Sequence, residues 1–182
     1  MNHAIEGNKV APGEIRPCDA DEMGVIGEII NDAAQAYQGV IPADRWKAPY
    51  MSRLELSAEA CDGVRFWGYA VDGLMLGVMG LQDKHEVALI RHAYVRNPYR
   101  GQGIGGRLLR HLEGLSRQPI LVGTWAAASW AIRFYEKHGY RSVCAVEKDR
   151  LLARYWRIPK RQIETSVVLG NPTWFCRRSD GL

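Results

Sequence analysis

A mixed α/β fold, with one mostly antiparallel central sheet and helices on both faces, is what the sequence predicts. Three observations lead there. Asp72-Gly73 stands between two apolar runs, 64–71 and 75–82, and signals a hairpin because both turn residues tolerate positive φ. The stretch 94–109 passes from β-branched and aromatic residues through four glycines into Leu108, Leu109, Leu112 and Leu115 at helical spacing. A strand therefore enters a helix through a tight loop. Beyond it, strand-length apolar segments alternate with helical patterns to the end of the chain.

In chain order, 14–18 is a short strand, with Pro17 suggesting a sheet edge. Asp19 or Asp21 caps a helix running to about residue 37, whose Met23, Ile26, Ile29, Ile30 and Ala33 form a core-facing stripe. Residues 39–42 break it, and a second helical region, 43–59, carries Arg45, Trp46, Tyr50 and Leu54. The hairpin strands follow, then a strand over 87–95, so three antiparallel strands precede the glycine loop. After the loop come a helix to 115, a strand over 120–125, a helix over 129–138 and a strand over 141–146. A short helix near 151–156 and a strand over 164–169 complete the order. The expected organisation is a flexible N-terminus (1–13), a single domain (14–169) and a C-terminal tail (170–182), partly disordered around Arg177 and Arg178.

Length and composition bound the function. A chain of 182 residues with 24% charged and 47% hydrophobic residues is an ordinary soluble domain. No apolar run reaches the roughly 20 residues of a membrane span. Residues 1–12 lack the basic and apolar regions of a signal peptide, so a cytoplasmic location is expected. Cys18, Cys61, Cys144 and Cys176 are scattered and carry no metal-ligand spacing; reduced thiols and no metal site are expected. The net charge of +4 is modest, but Lys148, Arg150, Arg154, Arg157, Lys160 and Arg161 crowd one segment. That segment reads as a solvated face, with an anionic partner as its alternative.

The glycine loop carries the chemistry. Gly101, Gly103, Gly105 and Gly106 leave unpaired N–H groups at a helix N-terminus, and with the helix dipole these suit phosphate oxygens. Arg96, Arg100 and Arg107 add positive charge. Gly105-Gly106-Arg107 does not supply the Gly-Lys-Ser/Thr of a P-loop. The dinucleotide spacing fits Gly101, Gly103 and Gly106, but the region 119–125 lacks the required carboxylate.

Arg100-Gly101-Gln102-Gly103-Ile104-Gly105 resembles instead the acyl-CoA signature of the GNAT superfamily of N-acetyltransferases, Gln/Arg-x-x-Gly-x-Gly/Ala. Phe134-Tyr135-Glu136-Lys137-His138-Gly139-Tyr140 resembles the second hallmark, a helix ending in Phe-Tyr-x-x-x-Gly-Phe/Tyr, in the family's order and separation. The resemblance covers about residues 14–169 and implies the GNAT fold, acetyl-CoA as acyl donor and no metal. It implies main-chain contacts from Ala93, Tyr94 and Val95 to the pantetheine arm, with the Val95 N–H polarising the thioester carbonyl. It places a Tyr135 hydroxyl beside the CoA sulfur as proton donor to the thiolate. The family's usual asparagine is replaced by Ala128, with Ser129 as the substitute contact.

The base is less legible. The family's usual positions fall at Leu89 and Arg91, neither of which can serve; His92 lies out of phase, on the opposite face of a regular strand. His92 and Glu86 are the candidates, His85 standing beside the latter. Arg91, Trp46 and Tyr50, with Arg45 nearby, would line an acceptor cleft and suit a small, amino-acid-like amine. Ile15-Arg16-Pro17 and Ile29-Ile30-Asn31 resemble the bacterial-type phosphinothricin acetyltransferases, which points the same way. The alternatives are a macromolecular acceptor (a protein amine or aminoacyl-tRNA) and a non-catalytic acetyl-CoA sensor. Nucleic acid and membrane are not expected partners; a homodimer is.

Overall fold

The computed structural model describes residues 12–179. The flexible N-terminus expected over 1–13 lies, up to residue 11, outside the described residues. Seven strands form one sheet in the order β1-β2-β3-β4-β5-β7-β6. These are β1 (Glu14–Pro17), β2 (Val64–Val71), β3 (Leu74–Asp83), β4 (Ala88–Val95), β5 (Ile120–Trp125), β6 (Arg141–Ser142) and β7 (Ser166–Gly170). Among the described residues only the β4–β5 pair is parallel. Five helices matter most: α1 (Met23–Ala34), α2 (Arg53–Cys61), α3 (Ile104–Leu115), α4 (Ser129–Lys137) and α5 (Ala145–Tyr155). Two short ones, α6 (Lys160–Glu164) and α7 (Pro172–Ser179), flank β7; the expected tail thus holds a helix over 172–179.

Alternation along the strands sends side chains to two separate cores. On one face Ile104, Leu108, Leu109 and Leu112 of α3, with Tyr135 of α4, bury against Leu76, Met79, Leu81 and Ile90. On the other, Ile26, Ile29 and Ile30 of α1 and Leu56 of α2 bury against Val64, Phe66, Met75 and Val78. Leu151 and Leu152 of α5 cover Leu89, Leu121 and Val168 on that second face. Asp72 and Gly73, both at positive φ, turn β2 into β3 as the Asp-Gly signal predicts. Pro17 stands on the edge strand, paired only to β2.

Two predicted elements are corrected. The helical region 43–59 is a single turn at 43–45, an irregular stretch, and then α2. Pro49 disfavours helix at the residue before it, and Ser52 starts α2 through a capping box with Glu55. The strand over 141–146 stops at Ser142, and Ala145 already opens α5. Burial of Leu151 and Leu152 one turn on favours helix, while Val146, whose β-branch suggested strand, is 81% exposed. Among the described residues no helix is long and apolar enough to cross a membrane.

Candidate active site

The site begins where the sheet opens. β4 and β5 pair at Ala88–Ile120, Leu89–Leu121 and Ile90–Val122, and no further. Beyond Arg91 the register of β4 on β3 slips by one residue, with His92 at φ 48° on the bulge. Past it, the Arg96 N–H donates to Leu76 O (2.8 Å), so Gly77–Val95 is a non-hydrogen-bonded pair. The Val95 N–H and C=O therefore face away from β3, into the gap left by β5.

Below the gap lies a groove of about 560 Å³. Its head is the loop 96–103, clipped to the end of α1 by the Asn97 N–H donating to Asp32 Oδ2 and Asn97 Nδ2 donating to Asp32 O (both 2.7 Å). Gly101 (φ 76°) and Gly103 (φ 82°) adopt the left-handed conformation that aims the chain into α3. The first N–H groups of α3 have no partner one turn back, and Ile104, Gly105 and Gly106, which carry them, line the groove. Of the predicted residues, Ala93, Tyr94, Val95, Arg100, Gly101, Gly103, Ile104 and Gly105 line it; Gln102 and Ser129 do not.

Arg100 is the loop arginine that faces the groove. Arg96 is turned to Met75 O (3.0 Å) and Glu28, and Arg107 donates to the Tyr69 hydroxyl (3.0 Å). The sequence reading missed Arg110, Lys137 and His138, which line the same groove; Arg110 and Lys137 restore its positive charge. For Arg110 the signal was the helical spacing of 103, 106 and 110, one face of α3; Lys137 and His138 lie at the end of α4. On the groove wall, Tyr135 is 5% exposed, against Phe134 and Tyr140. Burial first, then the nearby Tyr37, raises its hydroxyl well above the usual phenol value.

A second cleft, of about 630 Å³, lies across the gap and shares Tyr37, Ile90, His92, Tyr94, Gly123 and Thr124 with the groove. Trp46 and Tyr50 line it, from an irregular stretch rather than a helix. Asn31 holds that stretch through Met51 (2.9 and 2.8 Å), and the Trp125 Nε1 donates to the Tyr50 hydroxyl (3.0 Å). Trp46, Tyr50, Tyr37 and Trp130 form a run of rings with successive centroids 5.7, 5.6 and 5.7 Å apart. The run spans both cavities. The Tyr94 ring packs edge-on to Tyr37 and against the α1 core, as a strand aromatic would.

Charges in the cleft balance. Asp44 pairs with Arg45 (3.1 Å), Glu55 with Lys47, Glu59 with Arg91, and Asp62 with Arg157 (3.2 Å). Arg91, expected to meet a substrate carboxylate, already donates to Gln82 Oε1 (2.9 Å) and pairs with Glu59. His92 is not on the opposite face. The bulge turns it to the same side as Arg91, with Nε2 3.4 Å from Glu59 Oε2 and its ring against Phe66. Glu59 is the functional candidate that sequence reasoning missed, since α2 and β4 are far apart in sequence. Burial pushes His92 below its ordinary value and the charge of Arg91 adds to this, while Glu59 works in the opposite direction. Glu86, the other expected base, lies at the far end of β4, outside both cavities. It accepts from Arg154 (2.7 and 2.8 Å) and from the Tyr155 hydroxyl (2.7 Å). In the basic segment Lys148, Arg150, Arg154 and Arg157 all meet carboxylates.

Residues 62–142 match the sequence model of the acetyltransferase (GNAT) domain. A search of curated proteins gives no match. Among solved structures, the PaiA N-acetyltransferase from Thermoplasma acidophilum, in complex with coenzyme A, is similar with a TM-score of 0.65 at 16% identity, over 87% of this chain and 98% of that one. A ribosomal-protein-alanine N-acetyltransferase from Brucella melitensis gives 0.57 at 19% identity, over 72% and 86%. The N-acetylglutamate synthase from Neisseria gonorrhoeae, complexed with coenzyme A and N-acetyl-glutamate, gives 0.59 at 17% identity, over 90% of this chain and 35% of that one. These likenesses are of fold. The family match spans the hairpin strand β3, the opened β4, the glycine loop, α3, β5 and α4.

Proposed function

We propose that this protein is an acetyl-CoA-dependent N-acetyltransferase acting on a small, amino-acid-like primary amine. The observation that carries the reading is the parting of β4 and β5, which joins a groove headed by the α3 N-terminus to a second, aromatic cleft. A pyrophosphate at 101–106 meets helix N–H groups and the positive end of the α3 dipole. The pantetheine arm follows the Val95 main chain, and the Val95 N–H faces the thioester oxygen, where negative charge develops.

The amine enters from the cleft. Its lone pair attacks the carbonyl carbon, a C–N bond forms, and the carbonyl π pair moves to oxygen. Collapse breaks the C–S bond and leaves the electron pair on sulfur. The surplus proton on nitrogen passes to His92, and the Tyr135 hydroxyl protonates the thiolate. Solvent returns a proton from the imidazolium to the phenolate, which balances the cycle. A buried, uncharged imidazole suits the first role, and a phenol that holds its proton at neutral pH suits the second.

The charge balance of the cleft speaks for the small acceptor. A polycationic tail or a nucleic acid needs a field of one sign, whereas paired charges suit a neutral or zwitterionic molecule. The rings of Trp46 and Tyr50 favour an acceptor with a flat, apolar side chain. The likeness of Ile15-Arg16-Pro17 and Ile29-Ile30-Asn31 to phosphinothricin-type acetyltransferases agrees.

The test is release of the CoA thiol from acetyl-CoA by purified protein, over a panel of aromatic and aliphatic amino acids, polyamines and an alanine-initiated peptide. Release is expected with the aromatic amino acids first. Release with the peptide alone would move the reading to a macromolecular acceptor, and tight acetyl-CoA binding without release to a sensor.

A further inference from the structure

His92 combines three features that seldom meet by chance. It is a non-glycine residue at φ 48°. Its side chain is only 10% exposed, and Nε2 is buried without a well-formed hydrogen bond. It stands where the two cavities join. Backbone strain and an unsatisfied buried polar atom both cost free energy, so what holds the ring there is of functional interest.

Two charges face that ring. Glu59 reaches it from α2, with Oε2 3.4 Å from Nε2, and Arg91 adjoins it on β4 while pairing with the same carboxylate. From β2 the neighbour is the uncharged Phe66 ring. The other carboxylates on or next to α2 are engaged elsewhere, Glu55 by Lys47 and Asp62 by Lys84 and Arg157.

We propose that Glu59 is a positioning residue for His92: its carboxylate orients the ring and stabilises the imidazolium formed during transfer, and Arg91 opposes it through the same carboxylate. With Nε2 turned to Glu59, Nδ1 is the nitrogen left to take the amine proton. The role in turnover rests on His92 being the proton acceptor of the acetyl transfer proposed above; the coupling of the three residues does not. The sign follows from Coulomb's law. Without the Glu59 charge the imidazolium loses its counter-ion and His92 becomes less basic; without the Arg91 charge it loses a repulsion and becomes more basic.

The experiment follows the His92 ring signal by NMR in the 13C-histidine-labelled protein, assigned by its disappearance in His92→Gln. In Glu59→Gln the titration midpoint should fall by about one pH unit, and in Arg91→Gln it should rise by a similar amount. The acid limb of kcat/KM should move in the same two directions. Midpoints that stay put, or move together, overturn the coupling, because a merely structural Glu59 would lower the rate without opposed shifts. Opposed midpoints with an unmoved acid limb would overturn the part in turnover. Should no amine release CoA from the wild-type protein, the acetyltransferase reading falls while the NMR result still decides the coupling.

Discussion

Tyr135 holds its proton because burial disfavours the phenolate, and a phenol that stays protonated is a donor rather than a nucleophile. Tyr135→Phe keeps the ring against Phe134 and Tyr140 and deletes only the O–H. We expect kcat to fall about 100-fold with the KM for acetyl-CoA nearly unchanged, as steady-state kinetics would measure. An unaltered kcat at every pH would remove the proton-donor role. At this scale the sequence was legible for Tyr135 and for Arg100, whose motifs lie in continuous stretches. It was not legible for His92. Strict alternation assigns it the face opposite Arg91, and a one-residue bulge reverses that assignment. Nor could Glu59 be found, because its significance depends on α2 bringing that carboxylate to Arg91 and His92 on β4.

Elements are joined in this fold by a few charged clips. Arg16 on β1 holds Glu22, at the entry to α1, through two hydrogen bonds of 2.7 Å, and the Asp19 N–H donates to the same carboxylate (2.9 Å). The Arg16 hydrogen bond first, then that of Asp19, hold the Glu22 carboxyl down at about 2. A carboxyl depressed on folding contributes stability above its unfolded value of about 4.3, and that contribution is lost as pH falls toward 2. Glu22→Gln should therefore be less stable than wild type at pH 7, with the two melting temperatures converging between about pH 5 and pH 2. Parallel melting curves over that range would refute the clip. Among the elements, the hairpin, the glycine turn and α3 announced themselves through local chemistry. The loop 46–52 did not, because Pro49 and the Ser52 cap cut a pattern whose apolar spacing still read as helix.

For the molecule as a whole, the groove depends on α3 being seated on the sheet. Leu108 is fully buried between α3 and the strands, in the larger of the two cores. Leu108→Ala should cost about 3 kcal/mol by urea unfolding. Because the loop 96–103 hangs between β4 and α3, acetyl-CoA affinity measured by calorimetry should fall in the same variant. Full affinity at reduced stability would mean that the loop is held by its Asp32 clip alone.

By itself the sequence determined the order of the strands along the chain, the turn chemistry at Asp72-Gly73 and the glycine path from strand into helix. These follow from backbone preferences of neighbouring residues, which no distant contact has to decide. Only the tertiary structure decided how β4 parts from β5, which arginines face the groove, and that His92, Glu59 and Arg91 meet. The physical reason is that bulges, ion pairs and cavities arise from packing between segments tens of residues apart. Their energies depend on burial and distance, and neither is written in any single stretch of the chain.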